Sequence, residues 1–589
     1  MCGIVGYIGG GNAAEIILGG LKRLEYRGYD SAGAAFLSDG KIQLVKKQGR
    51  VEKLAPLLKD VRSLAGIGHT RWATHGEPSD ANAHPHLSDG IAVVHNGIIE
   101  NYAELKAELI SGGAKFLSDT DSEVVVHLLA KNYGGNLIEA MRKTVKALEG
   151  SYALMAICES ENKIVVARYK SPLIVGYGDG GNFVASDEPA LAGLCRDISI
   201  LEDGDVAEIT ADGVNIFDKY FKPVTRAKEP NLAVSASLGL EGCPHYMLKE
   251  LRETPLSVEA TVRAFDGVKD KLSTVLKGVK RVILTGCGTA YHAALIGKRY
   301  VECFARIPAE CETAGEFRYK NPVIDNSTAV FAVSQSGETA DTVEAARLAL
   351  SMGAKVIAVT NSHRSELTRL ATAVVPVAAG PEICVAATKS YTGQLAALYL
   401  SAATLAGDEI YSECAKKIKA IPAVISETLE NLDMRSLAHI CASSSGVYFL
   451  GRDLDYAVAL EGSLKLKEIS YVAGEGYPSG ELKHGTLALI DVNTTSVVLI
   501  TDKSLASKSE NAVEQVLSRG GKVAVITNVE EAEERFAGKL PLISLPACDK
   551  FLSPLLSAVA VQMLAYKAAA VLGREIDKPR NLAKSVTVE

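Results

Sequence analysis

The sequence predicts two kinds of fold in one chain: a layered α+β unit over residues 1–225, then two α/β doubly wound parallel-sheet domains at 245–430 and 431–573. Three observations carry this. Up to about residue 225, short strands and a few helices are punctuated by Gly112-Gly113, Gly134-Gly135 and Asp179-Gly180-Gly181, as layered sheets with outer helices would be. From His245 onward, continuous apolar runs such as Val282-Ile283-Leu284 and Val356-Ile357-Ala358-Val359 alternate with helical stretches rich in Ala, Leu and Lys. Runs of that kind are strands covered on both faces. Finally, the second part repeats itself. Lys355–Asn361 (KVIAVTN) matches Lys522–Asn528 (KVAVITN) at an offset of 167, Gly286 matches Gly451 at 165, and the apolar helix ending at Gly407 matches the one ending at Gly573 at 166.

Between the two parts, residues 226–244 read as a linker, with Pro230, Gly239, Gly242 and Pro244 and little periodicity. Residues 574–589 form a polar tail. The apolar stretches Leu395 to Ala406 and Leu552 to Leu572, the latter interrupted by Gln562 and Lys567, read as buried helices rather than membrane spans. The start, MCGIVGYIGG, lacks the basic and apolar regions of a secretion signal. Apolar residues make up 47% of the chain, which excludes a disordered protein. Lys and Arg number 63 against 70 Asp and Glu, a net charge of −7 with no basic block, so nucleic acid is not an expected partner. Eleven cysteines without a CxxC pair fit reduced thiols and a cytoplasmic location.

Cys2 follows the initiator Met1 directly. Removal of Met1 would leave a residue bearing both a thiol and an α-amine, with free-solution pKa values near ~8.5 and ~7.7–8.0. The amine can then take the thiol's proton, and one residue supplies nucleophile and base. Read alone, Cys2 is a small buried cysteine at a strand start. Its company is more specific: Cys2-Gly-Ile-Val-Gly6, Arg71-Trp-Ala-Thr-His-Gly76, His95-Asn-Gly97 and Thr120-Asp-Ser-Glu123, in that order. Together these resemble the class II glutamine amidotransferases and so imply an Ntn-hydrolase-like layered sandwich. The resemblance implies that Cys2 attacks the glutamine side-chain amide. It places Arg71, Thr74, His75, Gly97 and Asp121 at the glutamine and Trp72 at the gate of an ammonia channel. Chemically, Arg71 can fork onto an α-carboxylate and Asp121 can pair with an ammonium, a combination that selects a zwitterion. The Asn96 amide and the Gly97 N–H can donate to a developing oxyanion. Five of the eleven histidines, His69, His75, His84, His86 and His95, fall close together, but neither CxxC nor HExxH accompanies them, so no metal is expected.

In the second part, a strand from Thr328 to Val333 runs into Ser334-Gln335-Ser336-Gly337-Glu338-Thr339 and then a helical pattern, Ala340 to Ser351. Hydroxyls and open N–H groups at a helix start suit a phosphate, though ordinary capping accounts for them equally. Cys287-Gly288-Thr289 ends another strand in the same small, hydroxylated way. Tyr291 stands where a dinucleotide loop would need its third glycine. These segments resemble the SIS (sugar isomerase) domain, and the repeat implies two of them. A class II glutaminase followed by two SIS domains is the arrangement of the glutamine–fructose-6-phosphate transaminase family. Further matches are His245–Glu250, Gly380–Lys389, Leu460–Glu468, Gly480–Gly485 and the C-terminal Pro579–Glu589.

That resemblance implies the substrates fructose 6-phosphate and glutamine, hexosamine synthesis as the outcome and no cofactor. It places Cys287, Gly288, Thr289, Ser334, Gln335, Ser336, Thr339, Val385 and Lys465 around the sugar phosphate. Lys584 would form a Schiff base with the ketose, and Glu468 would carry the proton between C1 and C2. The tail would complete the sugar site and the ammonia channel. His484 would assist ring opening from the neighbouring subunit of a homodimer. By residue type alone, Lys584 is a solvated tail lysine and Lys465–Glu468 a surface i,i+3 pair. Ala290 and Ala387 occupy positions where family members often carry serine, each at the loss of one hydroxyl contact.

Overall fold

Strict alternation in the strand Gly3–Gly9 organises the first part of the chain. Ile4 and Ile8 join one core with Ala92, Val94, Met155 and Val166, whereas Val5 and Tyr7 join another with Ile17, Leu21 and Leu24 of the helix Ala13–Leu24. Successive strand residues point to opposite faces, so one strand serves two layers. In the computed structural model, which describes residues 2–232 and 239–587, this pattern builds an eight-stranded and a seven-stranded sheet. Every strand pairing between Gly3 and Pro230 is antiparallel. The sheets pack face to face. Gly6 faces the other sheet at a close approach, where a Cβ would stand 2.3 Å from the sulfur of Met155. Outside the second sheet, the helices Glu123–Asn132 and Leu137–Val145 cover Val93, Leu154 and Ala156. The result is the expected layered α+β sandwich, four layers deep.

The chain divides into two compact units, Met1–Gly239 (with the residues from Ser585 onward) and Leu240–Lys584. The segment read as a linker begins inside the first unit's sheet, where Glu229–Pro230 pairs with Asp197 and Ile198. Residues 233–238 of that segment, like the last two of the tail, lie outside the described residues.

The second unit contains two five-stranded parallel sheets of identical strand order. The first runs Ala309–Thr313, Arg281–Gly286, Thr328–Ser334, Lys355–Thr360, Ala373–Pro376; the second runs Gly474–Pro478, Gly446–Gly451, Thr494–Ile500, Lys522–Thr527, Leu542–Ser544. In each sheet the chain moves from its first strand to one side, then crosses to the other. The crevice between the first and third strands, beyond their carboxyl ends, is therefore a topological switch point, where open α/β sheets place ligands. The apolar helices Lys389–Ala406 and Ser553–Val571 are buried along nearly their whole lengths. Ser553–Val571 is the one helix among the described residues long and apolar enough to cross a membrane, and 83% of that stretch is buried within the fold. Both helices belong to a single core that also takes in Val282, Phe331, Phe449 and Val497 from the two sheets.

Candidate active sites

Cys2 stands at the start of the central strand of the first unit. The backbone N–H of Trp72 donates to its sulfur at 3.4 Å, and the Asn96 side-chain amide donates to its carbonyl oxygen at 3.0 Å. Burial pushes the Cys2 thiol up, while the Trp72 N–H and the Arg71 charge draw it down. Gly97 follows at φ +136°, and a Cβ there would lie 2.0 Å from the carbonyl oxygen of Ser151. Only glycine fits there. Arg71 is 3% exposed, and its guanidinium donates to the carbonyls of His75, Gly76 and Glu77. It thereby ties down the loop that carries Thr74 and His75. Asp121 is buried and accepts from the Ile99 amide at 2.8 Å.

The neighbouring histidines form a packed, hydrogen-bonded set rather than a ligand cluster. His69 stacks on His84 with ring centroids 4.2 Å apart. His69 Nε2 meets the His95 carbonyl at 2.9 Å, His95 Nδ1 meets Ser122 Oγ at 2.8 Å and His86 Nε2 meets Thr120 Oγ1 at 3.0 Å. Burial holds all four imidazoles below their ordinary value, His86 down to about 3, so they are neutral at neutral pH. Among the described residues no three His, Cys, Asp or Glu side chains are grouped to hold a metal. Sequence reasoning missed Asp30, whose carboxylate accepts from the Ala73 amide at 2.8 Å and whose amide donates to the Arg71 carbonyl at 3.0 Å. Its signal was faint, a polar stretch between a helix and a strand.

In the second unit, the loops at the first sheet's switch point are 287–289 and 334–339. Ser334 Oγ accepts from the Gly337 amide at 3.0 Å and meets Thr339 Oγ1 at 3.0 Å, while Ser336 Oγ accepts from the Glu338 amide at 3.1 Å. The helix Ala340–Ser351 follows, with the bounds its pattern predicts. Cys287 Sγ lies 3.7 Å from Thr342 Oγ1, tying the first loop to that helix.

A chain of charges runs from this crevice into the second sheet's helix Leu454–Ser470. Thr289 Oγ1 donates to Glu461 at 3.2 Å, His292 Nδ1 lies 2.8 Å from Glu461, and Lys465 Nζ lies 3.6 Å from Glu461 and 2.6 Å from Glu468. Lys465 is 1% exposed. Burial disfavours its charge, but the two carboxylates more than offset this and push its pKa up, so it is a fixed cation. Lys465 is interior and Glu468 half-buried, so this is not the surface pair its spacing suggests. His292 and Glu461 were missed because buried polar residues on helices look like solvated ones in sequence.

Lys584, expected from residue type alone to sit in solvent, is buried and donates to Glu382 at 2.6 Å. Glu382 is buried too and accepts from the Thr388 and Ser390 amides, both at 3.0 Å, and from the Ser390 hydroxyl at 2.7 Å. Burial works against its charge, but Lys584 and these donors hold it at about 2. Val385 is buried, and its amide donates to the Asp577 carbonyl at 2.9 Å. Cys384 is within electrostatic reach of both Lys465 and Lys584. His484 is exposed on the turn Glu481–His484 and joins none of these networks among the described residues.

An antiparallel layered sandwich joined to a duplicated parallel α/β fold defines a class of protein, a glutamine amidotransferase domain with two SIS domains. The glutamine amidotransferase domain description matches residues 69–193, and the SIS domain description matches 275–404 and 441–572. Glutamine–fructose-6-phosphate aminotransferases (isomerizing) from Caldanaerobacter subterraneus subsp. tengcongensis and Aquifex aeolicus are 45% and 44% identical to the chain, each over 100% of both sequences. The solved C-terminal domain of glucosamine-fructose-6-phosphate aminotransferase from Francisella tularensis superposes with a TM-score of 0.56 at 33% identity, covering 58% of this chain and 100% of that one. The chain belongs to the glutamine–fructose-6-phosphate aminotransferase (isomerizing) family.

Proposed function

We propose that this protein converts fructose 6-phosphate and glutamine into glucosamine 6-phosphate and glutamate. Once Met1 is removed, the Cys2 amine takes the thiol proton and the thiolate adds to the glutamine amide carbon. The Asn96 amide and the Gly97 N–H donate to the oxyanion. Ammonia leaves, and water then hydrolyses the thioester to glutamate. Arg71 and Asp121 recognise the two charges of the amino acid, with Thr74 and His75 on the loop that Arg71 orders.

In the second unit, the loops 287–289 and 334–339 hold the phosphate, and Val385 lines the sugar. The Lys584 amine adds to the ketose carbonyl and expels water, leaving an imine that ammonia displaces. Glu468 then removes a proton from C1 and returns it at C2, with Lys465 fixing its carboxylate. Overall, glutamine and ketose become glutamate and amino sugar without an external oxidant or reductant, so the balance calls for no redox cofactor. His484, exposed on its own chain, opens the sugar ring in a neighbouring subunit, which makes the working protein a homodimer. The setting is the cytoplasm, with neither nucleic acid nor a membrane as partner. Trp72 gates the passage of ammonia. The domains are the glutaminase at 1–225, the linker at 226–244, the SIS domains at 245–430 and 431–573, and the tail at 574–589, which completes the sugar site.

The burial of Lys584 against Glu382 at 2.6 Å is the observation that carries this reading, because a tail lysine is buried only where its charge is used or matched. Purified protein incubated with glutamine and fructose 6-phosphate is expected to form glutamate and a hexosamine phosphate in equal amounts. Borohydride added with the ketose should leave a stable adduct on Lys584. An adduct elsewhere, or none, overturns the assignment.

A further inference from the structure

Three segments of the second unit close a ring around Lys584. Asp577, from the tail, accepts the Tyr246 and Met247 amides at 2.8 and 2.9 Å and so anchors the start of the helix Tyr246–Arg252. Glu250, from that helix, accepts through one oxygen the amides of Ile383, at 2.5 Å, and Cys384, at 3.1 Å. These are the two residues immediately after Glu382, and Glu382 binds Lys584 back on the tail. The other oxygen of Glu250 is buried and has no hydrogen-bond partner among the described residues. Glu250 is only 2% exposed.

An ionised carboxylate in that position would leave half its charge without a donor in a buried setting, at far greater cost than a neutral acid. It would also add a second negative charge beside the Glu382 carboxylate. Two negative charges facing one ammonium would hold the proton on Lys584 more tightly, and a protonated lysine cannot attack a carbonyl.

We propose that Glu250 is a positioning residue for Lys584, kept as a neutral carboxylic acid whose carbonyl oxygen fixes the segment carrying Glu382 while Lys584 meets a single carboxylate. This rests on the assignment of Lys584 as the imine-forming lysine. Burial, together with the charge of Glu382, pushes Glu250 up to about 8, with Lys584 and the two amides opposing. Cys384, Tyr246 and Asp577 are the other titratable groups around it.

The test uses the full chain and its Glu250→Gln variant, which keeps the oxygen acceptor but cannot ionise. Fructose 6-phosphate is trapped on Lys584 with borohydride between pH 7 and 9 and quantified by mass spectrometry. In the native protein, trapping should stall or fall above pH 8 as Glu250 gains its charge. In Glu250→Gln it should keep rising, so that the ratio of pH 9 to pH 7 trapping exceeds the native ratio severalfold. Superimposable profiles overturn the proposal. Should the variant fail to fold, the infrared spectrum of the native protein decides. A protonated-carboxyl stretch present at pH 7 and lost through pH 8 supports the proposal, and its absence at pH 7 overturns it. If the native protein traps no sugar at Lys584, the imine assignment fails and, with it, the positioning role, while the infrared band still reports whether Glu250 is neutral.

Discussion

The carboxylate of Asp455 accepts both the amide of Thr501, at 2.9 Å, and its hydroxyl, at 2.6 Å. This bond spans the switch point of the second sheet, joining the segment after Gly446–Gly451 to the one after Thr494–Ile500. By the repeat offset of 165, Asp455 corresponds to Ala290 in the first sheet, where the crevice is lined by hydroxyls instead. The two copies of the fold thus differ at the place where such folds bind ligands. One crevice presents donors, and the other is closed by an acid of its own.

That bond has a pH signature. Burial raises Asp455 from its ordinary 3.8 to about 6, with the two Thr501 donors opposing. The folded state therefore holds a proton more tightly than the unfolded chain. The corresponding stability is present below about pH 4 and is lost as pH rises through about 6. Asp455→Asn, with no proton to lose, should show none of this. Urea titrations from pH 4 to 7 are expected to show native stability falling relative to the variant by about 3 kcal/mol. A constant difference would count against the buried, raised acid.

Cys2→Ala should reduce glutamine hydrolysis by about a thousandfold or more, because it removes the proposed nucleophile. Interconversion of the sugar phosphate, carried by the second unit, should persist near the native rate. Glutamate release and sugar isomerisation measured on one preparation check both halves. Residual glutaminase activity in the variant would remove Cys2 from its role.

Lys465→Met leaves Glu461 and Glu468 facing each other without their shared cation. Breaking a buried ion pair from one side costs about 3–5 kcal/mol. The denaturation midpoint should drop accordingly and isomerisation should be lost, while glutamine hydrolysis, in the other unit, is retained. A midpoint close to native would show that the pair contributes little.

Trp72 is the only tryptophan, and its backbone already touches the Cys2 sulfur. If its ring gates the path of ammonia, Trp72→Ala should keep most glutamine hydrolysis while the hexosamine formed per glutamate falls severalfold, as ammonia escapes to water and protonates. A product ratio equal to native rules out the gate. Tryptophan emission, which reports this one ring, should shift when fructose 6-phosphate is added to the native protein.

Local and repeated signals are legible in the sequence. The 165–167 offset announced two sheets of the same order, and the Cys2, Asn96 and Gly97 segments do meet around one strand end. Pairings between distant segments were not legible. Lys584 and Glu382 are 202 residues apart, and no local rule links a tail lysine to a buried acid in a loop. Glu250, Glu461 and His292 escaped for a related reason: a polar residue on a helix has the same spelling whether it faces water or the interior. Asp455 became conspicuous only when the two sheets could be laid side by side.

The shared core of the second unit has a consequence for the duplication itself. Two halves that began as interchangeable no longer possess separate interiors, since Phe331 and Phe449, from different sheets, belong to one packed mass with both long apolar helices between them. Neither half could be cut free without opening a wound the size of that seam. Tolerance to change is therefore unequal along the chain. A residue in the first helical turn beside either crevice can drift, and Asp455 against Ala290 is a record of such drift, whereas the seam must be altered on both sides at once or not at all.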